Sequence, residues 1–189
     1  METKTILGID PGTKEMGLAV LRGKELLDYG VHTLRNGTRP HDVIGQARRV
    51  LLEAIAKHQP DLVAIEEPLA LATKRAALMT VIAQELRARA EELSLRVVEL
   101  SPRTIRQAIV GNPYATKIDV AEALATGPFE QLKGLVPRRP VRSALGLRPK
   151  DKYWLHMTDA LALAVAAREQ RSVAFDPGGN SIAAGSKIR

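Results

Sequence analysis

The sequence predicts an α/β fold: one mixed five-stranded sheet, its first three strands antiparallel, with helices packed against it. Two observations carry that expectation. Three strand-like apolar runs crowd into residues 4–34, separated only by turn residues. Beyond them the period changes, and helical stripes alternate with short apolar runs as far as residue 100.

Thr5–Asp10, Gly17–Arg22 and about Leu26–Leu34 read as an antiparallel meander. Its first hairpin, "ILGIDPGTKEMGLAV" at 6–20, plants one acid, Asp10, between an apolar run and the turn residues Pro11, Gly12 and Thr13. Val43, Ile44, Ala47, Val50, Leu51, Ala54 and Ile55 then recur at helical spacing in one stripe that Pro60 ends. "DLVAIEE", residues 61–67, reads as a short buried strand finishing in acids. A helix joining it to the first strand would make the two strands parallel neighbours. A second helix is expected over 71–93, with Leu78, Ile82, Leu86 and Ala90 on one face, and a fifth strand over 95–100. Pro102 opens a short helix that Gly111 closes, and Thr116 to Asp119 has the form of a capping box starting another.

Residues 127–151 differ in kind, being rich in Gly, Pro and Arg with no sustained period. A last helix is expected from Tyr153 to Gln170. The expected organisation is one domain over 1–170 that includes a basic insertion at 127–151, and a flexible C-terminal tail over 171–189.

A chain of 189 residues, 45% apolar and 26% charged, can bury one proper core. Its 28 Lys and Arg outweigh 21 Asp and Glu, for a formal charge of +7. Such a surplus points to a polyanionic partner, because basic side chains that neutralise phosphates release counterions. The absence of cysteine excludes disulfides, thiolate nucleophiles and Cys-ligated metals. The apolar run from Ala160 to Ala167 is too short to span a bilayer, and the N-terminus enters a strand without signal-peptide character. A cytoplasmic protein with no membrane partner is expected.

The chemistry-bearing residues are acids at strand ends. If the first and fourth strands are neighbours, Asp10 meets either Glu66 or Glu67. Strand side chains alternate, so only one of the two shares its face, and the residues alone leave that choice open. Asp159 stands near the start of the last helix with His156 three residues before it, on the same helical face. Taken singly, Asp10 could bond its own turn, Glu66 could be a surface acid and His156 a partly exposed helix side chain. Three carboxylates and an imidazole together suit a pair of divalent cations: the oxygens favour magnesium, and the imidazole tolerates manganese. Such pairs hydrolyse phosphodiesters.

"GIDPGTKEMGLAV", "VAIEEP" and "HMTDALALA", in that order, resemble the RuvC family of Holliday-junction resolvases, whose fold is ribonuclease-H-like. The resemblance covers about residues 4–170. It implies that Asp10, Glu66 and Asp159 are the metal-binding acids, with His156 where family members carry Asp or His. It further implies metal-dependent symmetric nicking of four-way DNA junctions by a homodimer, with two Mg2+ per active site and Mn2+ tolerated. "SPRTIRQAIVGNPYATKIDV", residues 101–120, resembles the family's basic DNA-contacting stretch, which makes Arg103, Arg106 and Lys117 candidate DNA contacts. Lys117 is also a candidate catalytic residue. Lysine is electrostatically unhelpful at a helix start, whereas there it can reach a phosphate and stabilise developing charge.

Two departures stand out. Leu69 falls where the bacterial family carries an aromatic; it can wedge between bases but stacks poorly. Arg138, Arg139 and Arg142 lie in the insertion, as a basic arm on DNA or as a solvated loop. Departures of this kind would suit a diverged, phage-type member acting in a bacterial cytoplasm. "GIDPGT" also resembles the first phosphate hairpin of sugar kinases and actin-like ATPases, but 189 residues are few for the two domains such proteins need. An RNA-processing or less selective nuclease of the same fold is the nearer alternative.

Overall fold

A computed structural model describes residues 3–34, 39–68, 73–135 and 149–174. The strands are β1 (Thr5–Asp10), β2 (Glu15–Arg22), β3 (Glu25–Thr33), β4 (Leu62–Glu66) and β5 (Arg96–Leu100). The helices are α1 (Pro40–His58), α2 (Lys74–Glu92), α3 (Pro102–Val110), α4 (Lys117–Thr126) and α5 (Pro149–Ala174). The strands form one sheet in the order β3-β2-β1-β4-β5. β1–β2 and β2–β3 pair antiparallel, whereas β1–β4 and β4–β5 pair parallel. The expected meander and the expected neighbouring of the first and fourth strands are both present.

Strand alternation sorts the core into two layers. Ile6, Ala19, Leu21, Leu62 and Ala64 face the layer built with α3, α4 and α5. Leu7, Ile9, Leu18, Val20, Val63 and Ile65 face α1 and α2. α5 lies directly on the sheet. From Ala160 to Ala167 every residue of it is buried, so this stretch of the helix is apolar all round. Two glycines permit the approach: a Cβ at Gly8 would sit 2.0 Å from the Ala160 carbonyl oxygen, and one at Gly17 1.8 Å from that of His156.

Local signals place the short helices. The Ser101 hydroxyl caps α3 by accepting the Thr104 N–H, and Gly111 closes it at φ 73°, in the left-handed region. At α4 the Thr116 hydroxyl accepts the Asp119 N–H while the Asp119 carboxylate accepts the Thr116 N–H, completing the capping box.

The segment after α4 carries two core anchors that the sequence did not mark. In residues 127–135, the described part of the expected insertion, Phe129 and Leu132 are buried in the core around a single 3-10 turn at Glu130–Leu132. Two anchor side chains need no period, which is why no pattern marked them. α5 begins four residues before the expected Tyr153 and ends four after Gln170. Residues 136–148 and 175–189 lie outside the described residues, with Arg138, Arg139 and Arg142 of the expected insertion and most of the expected tail. Leu69 also lies outside them.

Candidate active site

Asp10 ends β1 and Glu66 ends β4, so two parallel neighbours deliver acids to the same carboxyl edge of the sheet. Alternation settles which glutamate joins Asp10. Ile6, Gly8 and Asp10 share one parity in β1; Leu62, Ala64 and Glu66 share the matching parity in β4. Both acids therefore face the α5 layer. Glu67, of opposite parity, is exposed.

α5 brings His156 and Asp159 over that edge, and α4 begins with Lys117 beside them. His156 Nδ1 lies 2.5 Å from Asp10 Oδ2. Its Nε2 lies 3.6 Å from Glu15 Oε2, at the start of β2. The Lys117 ammonium donates a short hydrogen bond to Asp159 Oδ2. Asp10 and Asp159 are both buried, and Lys117 is nearly half exposed.

The field at this edge is strongly negative. Burial, then the charges of Asp10 and Asp159, push the Glu66 carboxyl up to about 7, although Lys117 and Arg106 pull the other way. Burial and the Asp10 charge push Asp159 up to about 6 against Lys117 and His156. The hydrogen bond to Asp10 raises His156 above the usual imidazole range despite burial. Burial disfavours the Lys117 ammonium, but Asp159, Asp10 and Glu66 outweigh it and hold the group above its ordinary range.

Among the described residues, no three His, Asp or Glu side chains stand close enough to hold one ion between them. Asp159 is turned to Lys117, and Asp10 to His156. The donor set nevertheless fits hard divalent cations. Its oxygens are crowded, and two of its carboxyls are pushed toward the protonated form despite the charges of Lys117, His156 and Arg106. A cleft of about 80 Å³ opens beside Asp10 and Glu66, with Met79, Ala76 and Ala83 of α2 on its wall.

The fold thus gathers Asp10, Glu66, Lys117, His156 and Asp159. Arg106 lies near enough on α3 for its charge to act on Glu66. Arg103, one turn earlier, is placed with its guanidinium carbon 5.4 Å from the centre of the Tyr114 ring. Glu15 was not anticipated. It stands across the hairpin mouth from Asp10, but its nearness to His156 depends on where α5 docks.

Residues 6–126 match the model of the family described as crossover junction endodeoxyribonuclease RuvC. A protein of that name from Bacteroides fragilis is 33% identical over 129 residues, 66% of this chain and 69% of its own. Another from Chlorobaculum parvum is 32% identical over 165 residues, 84% of this chain and 78% of its own. The structure of Thermus thermophilus RuvC superposes with a TM-score of 0.67 at 25% identity, covering 90% of this chain and 96% of that one. The same protein in complex with a Holliday junction substrate gives 0.69 at 24% identity, a likeness of fold.

Proposed function

The chain belongs to the RuvC family of crossover junction endodeoxyribonucleases, and we propose that it resolves four-way DNA junctions by hydrolysing one phosphodiester in each of two opposing strands. The observation that carries this reading is the convergence of Asp10, Glu66 and Asp159 with His156 at one sheet edge, in a field that keeps Glu66 and Asp159 partly protonated. A site so short of positive charge is suited to cations and to the phosphate they accompany.

Two magnesium ions held by Asp10, Glu66, His156 and Asp159, with manganese tolerated through the imidazole, would supply Lewis acidity toward the phosphate and acidify the attacking water. The chain's own groups do the rest. In the free protein His156 stands against the Asp10 carboxylate, with Glu15 3.6 Å from the far nitrogen of the imidazole, a pairing that a bound cation would replace. Lys117 neutralises Asp159 in the free protein. With that acid otherwise engaged, its ammonium can donate to a non-bridging phosphate oxygen and stabilise charge as it develops. Arg103 and Arg106, one turn apart on α3, grip the flanking phosphates. Leu69, Arg138, Arg139 and Arg142 remain candidate DNA contacts from the sequence and lie outside the described residues.

Two protomers are needed for two cuts, and a two-fold junction calls for a two-fold homodimer. Its action would be on DNA in a bacterial cytoplasm, whether host- or phage-encoded, a reading supported by the bacterial origin of its relatives. One domain over 1–170 would carry the activity.

A substrate panel tests this reading. End-labelled immobile junction, duplex, single-stranded DNA and structured RNA are offered with magnesium or manganese. Paired nicks at symmetric positions, confined to the junction, are expected. Faster cleavage of RNA, or equal cleavage of duplex, would move the activity to another nuclease of the same fold.

A further inference from the structure

The connection between α3 and α4 holds an aromatic side chain that the fold does not use. Among the described residues, Phe129 is buried, Trp154 and Tyr29 pack against the core, and the Tyr153 hydroxyl donates to the Val31 carbonyl. Tyr114 does none of these and is 74% exposed, the most exposed of the large apolar or aromatic side chains described. Its backbone is nonetheless fixed. The Tyr114 N–H donates to Asn112 Oδ1 at 3.0 Å, and the next N–H, of Ala115, donates to the Asn112 carbonyl at 3.1 Å. Ala115 is buried, and Thr116 caps α4. The ring is thus held out into water on a pinned turn, where it is available to a ligand.

Its surroundings say what. The Arg103 guanidinium stands 5.4 Å from the ring centre, within cation–π range. Arg106 follows one turn along α3. Lys117 is three residues on, so its Cα lies no more than about 11 Å from that of Tyr114. The Lys117 side chain in turn reaches Asp159, so Tyr114 and the cluster of acids flank the same helix start. An exposed ring backed by an arginine, on a connection between two elements that carry Arg106 and Lys117, is the arrangement that binds single-stranded nucleic acid: cations take phosphates, and the ring takes the face of an unstacked base.

We propose that Tyr114 is a nucleobase-stacking residue, receiving an unpaired base close to the cleaved phosphodiester while Arg103 backs the ring and engages the neighbouring phosphate. The proposal rests on the junction-resolving function above, since a junction offers such bases at its exchange point. It makes Tyr114 a determinant of where the DNA is held and opened, separate from the acids that act on the phosphate.

The test uses the full chain and a four-way junction carrying 2-aminopurine at each exchange-point position in turn, bound in chelator so that it stays uncut. Wild-type protein is expected to change the emission at one or more positions. Tyr114→Ala is expected to abolish that change and weaken junction binding on the order of tenfold, and Tyr114→Phe to preserve both. A melting curve verifies that Tyr114→Ala is folded. Emission and affinity in Tyr114→Ala within twofold of wild type, beside wild-type protein that cuts junctions normally, would overturn the stacking role alone. Wild-type protein that leaves every junction uncut in magnesium would overturn the function beneath it, and the role with it.

Discussion

Glu66 keeps its proton up to about pH 7 in the folded chain, against an ordinary value of 4.5. Between those values the cation-free native state binds more protons than the unfolded state, so stability falls as pH rises. Asp159, at about 6 against 3.8, acts with the same sign over a lower window. His156, raised above 6.5, contributes stability that is full below 6.5 and lost as pH climbs through its higher folded value. All three favour acid. In chelator, the melting temperature of the wild-type protein is therefore expected to decline from pH 5 to pH 8. Glu66→Gln is expected to flatten that decline and to melt about 5 °C higher than wild type at pH 8, the equivalent of roughly 2 kcal/mol. Calorimetry across the pH range checks this, and a Glu66→Gln that melts at or below wild type at pH 8 would refute it. Lys117 supplies the opposite lesson. It is the cation nearest Asp159, and Lys117→Ala is expected to slow junction cleavage about a hundredfold while the junction Kd shifts less than threefold. Equal losses in rate and affinity would make Lys117 a binding residue only.

The elements that matter most are the β1–β2 hairpin and α5, because the site exists only where they touch. The contact depends on the missing side chains of Gly8 and Gly17. Gly17→Val drives carbon into the His156 carbonyl oxygen and is expected to cost about 3 kcal/mol or more, lowering the melting temperature by about 9 °C. Cleavage should fall further than stability accounts for at a temperature where the variant is folded, since His156 and Asp159 ride on the displaced helix. A Gly17→Val with wild-type cleavage at that temperature would show that the close approach does not position the site. The same contact explains what could be read from the sequence. Ser101, Gly111 and the Thr116–Asp119 box act within a few residues of themselves, so their helices were legible. The choice of Glu66 over Glu67 was not legible from spacing. Alternation says that the two differ, and only the register of β1 against β4 says which one shares the face of Asp10. Glu15 was hidden because its nearness to His156 depends on where α5 docks. Phe129 and Leu132 were hidden for another reason, since a turn anchored by two side chains carries no period.

At the scale of the molecule, the surplus of seven positive charges and the negative pocket divide the labour. On the proposed function, affinity for DNA would rest on basic side chains spread over the surface, and turnover on the acids. Binding of junction by a cleavage-dead variant should therefore weaken steeply with salt, as counterion release requires. Measured by titration from 50 to 200 mM salt, the logarithm of the association constant is expected to fall linearly with the logarithm of salt; a flat response would locate the affinity elsewhere. Two protomers on a two-fold junction should give two cuts per complex, and a mass twice that of the chain by light scattering. The most direct measurement compares wild type with Asp10→Asn on one end-labelled immobile junction in magnesium, with binding and strand scission followed in the same samples. Paired symmetric nicks by wild type, and unbroken strands bound with undiminished affinity by Asp10→Asn, are the expected result. Scission that survives in Asp10→Asn would contradict the assignment of chemistry to this cluster of acids.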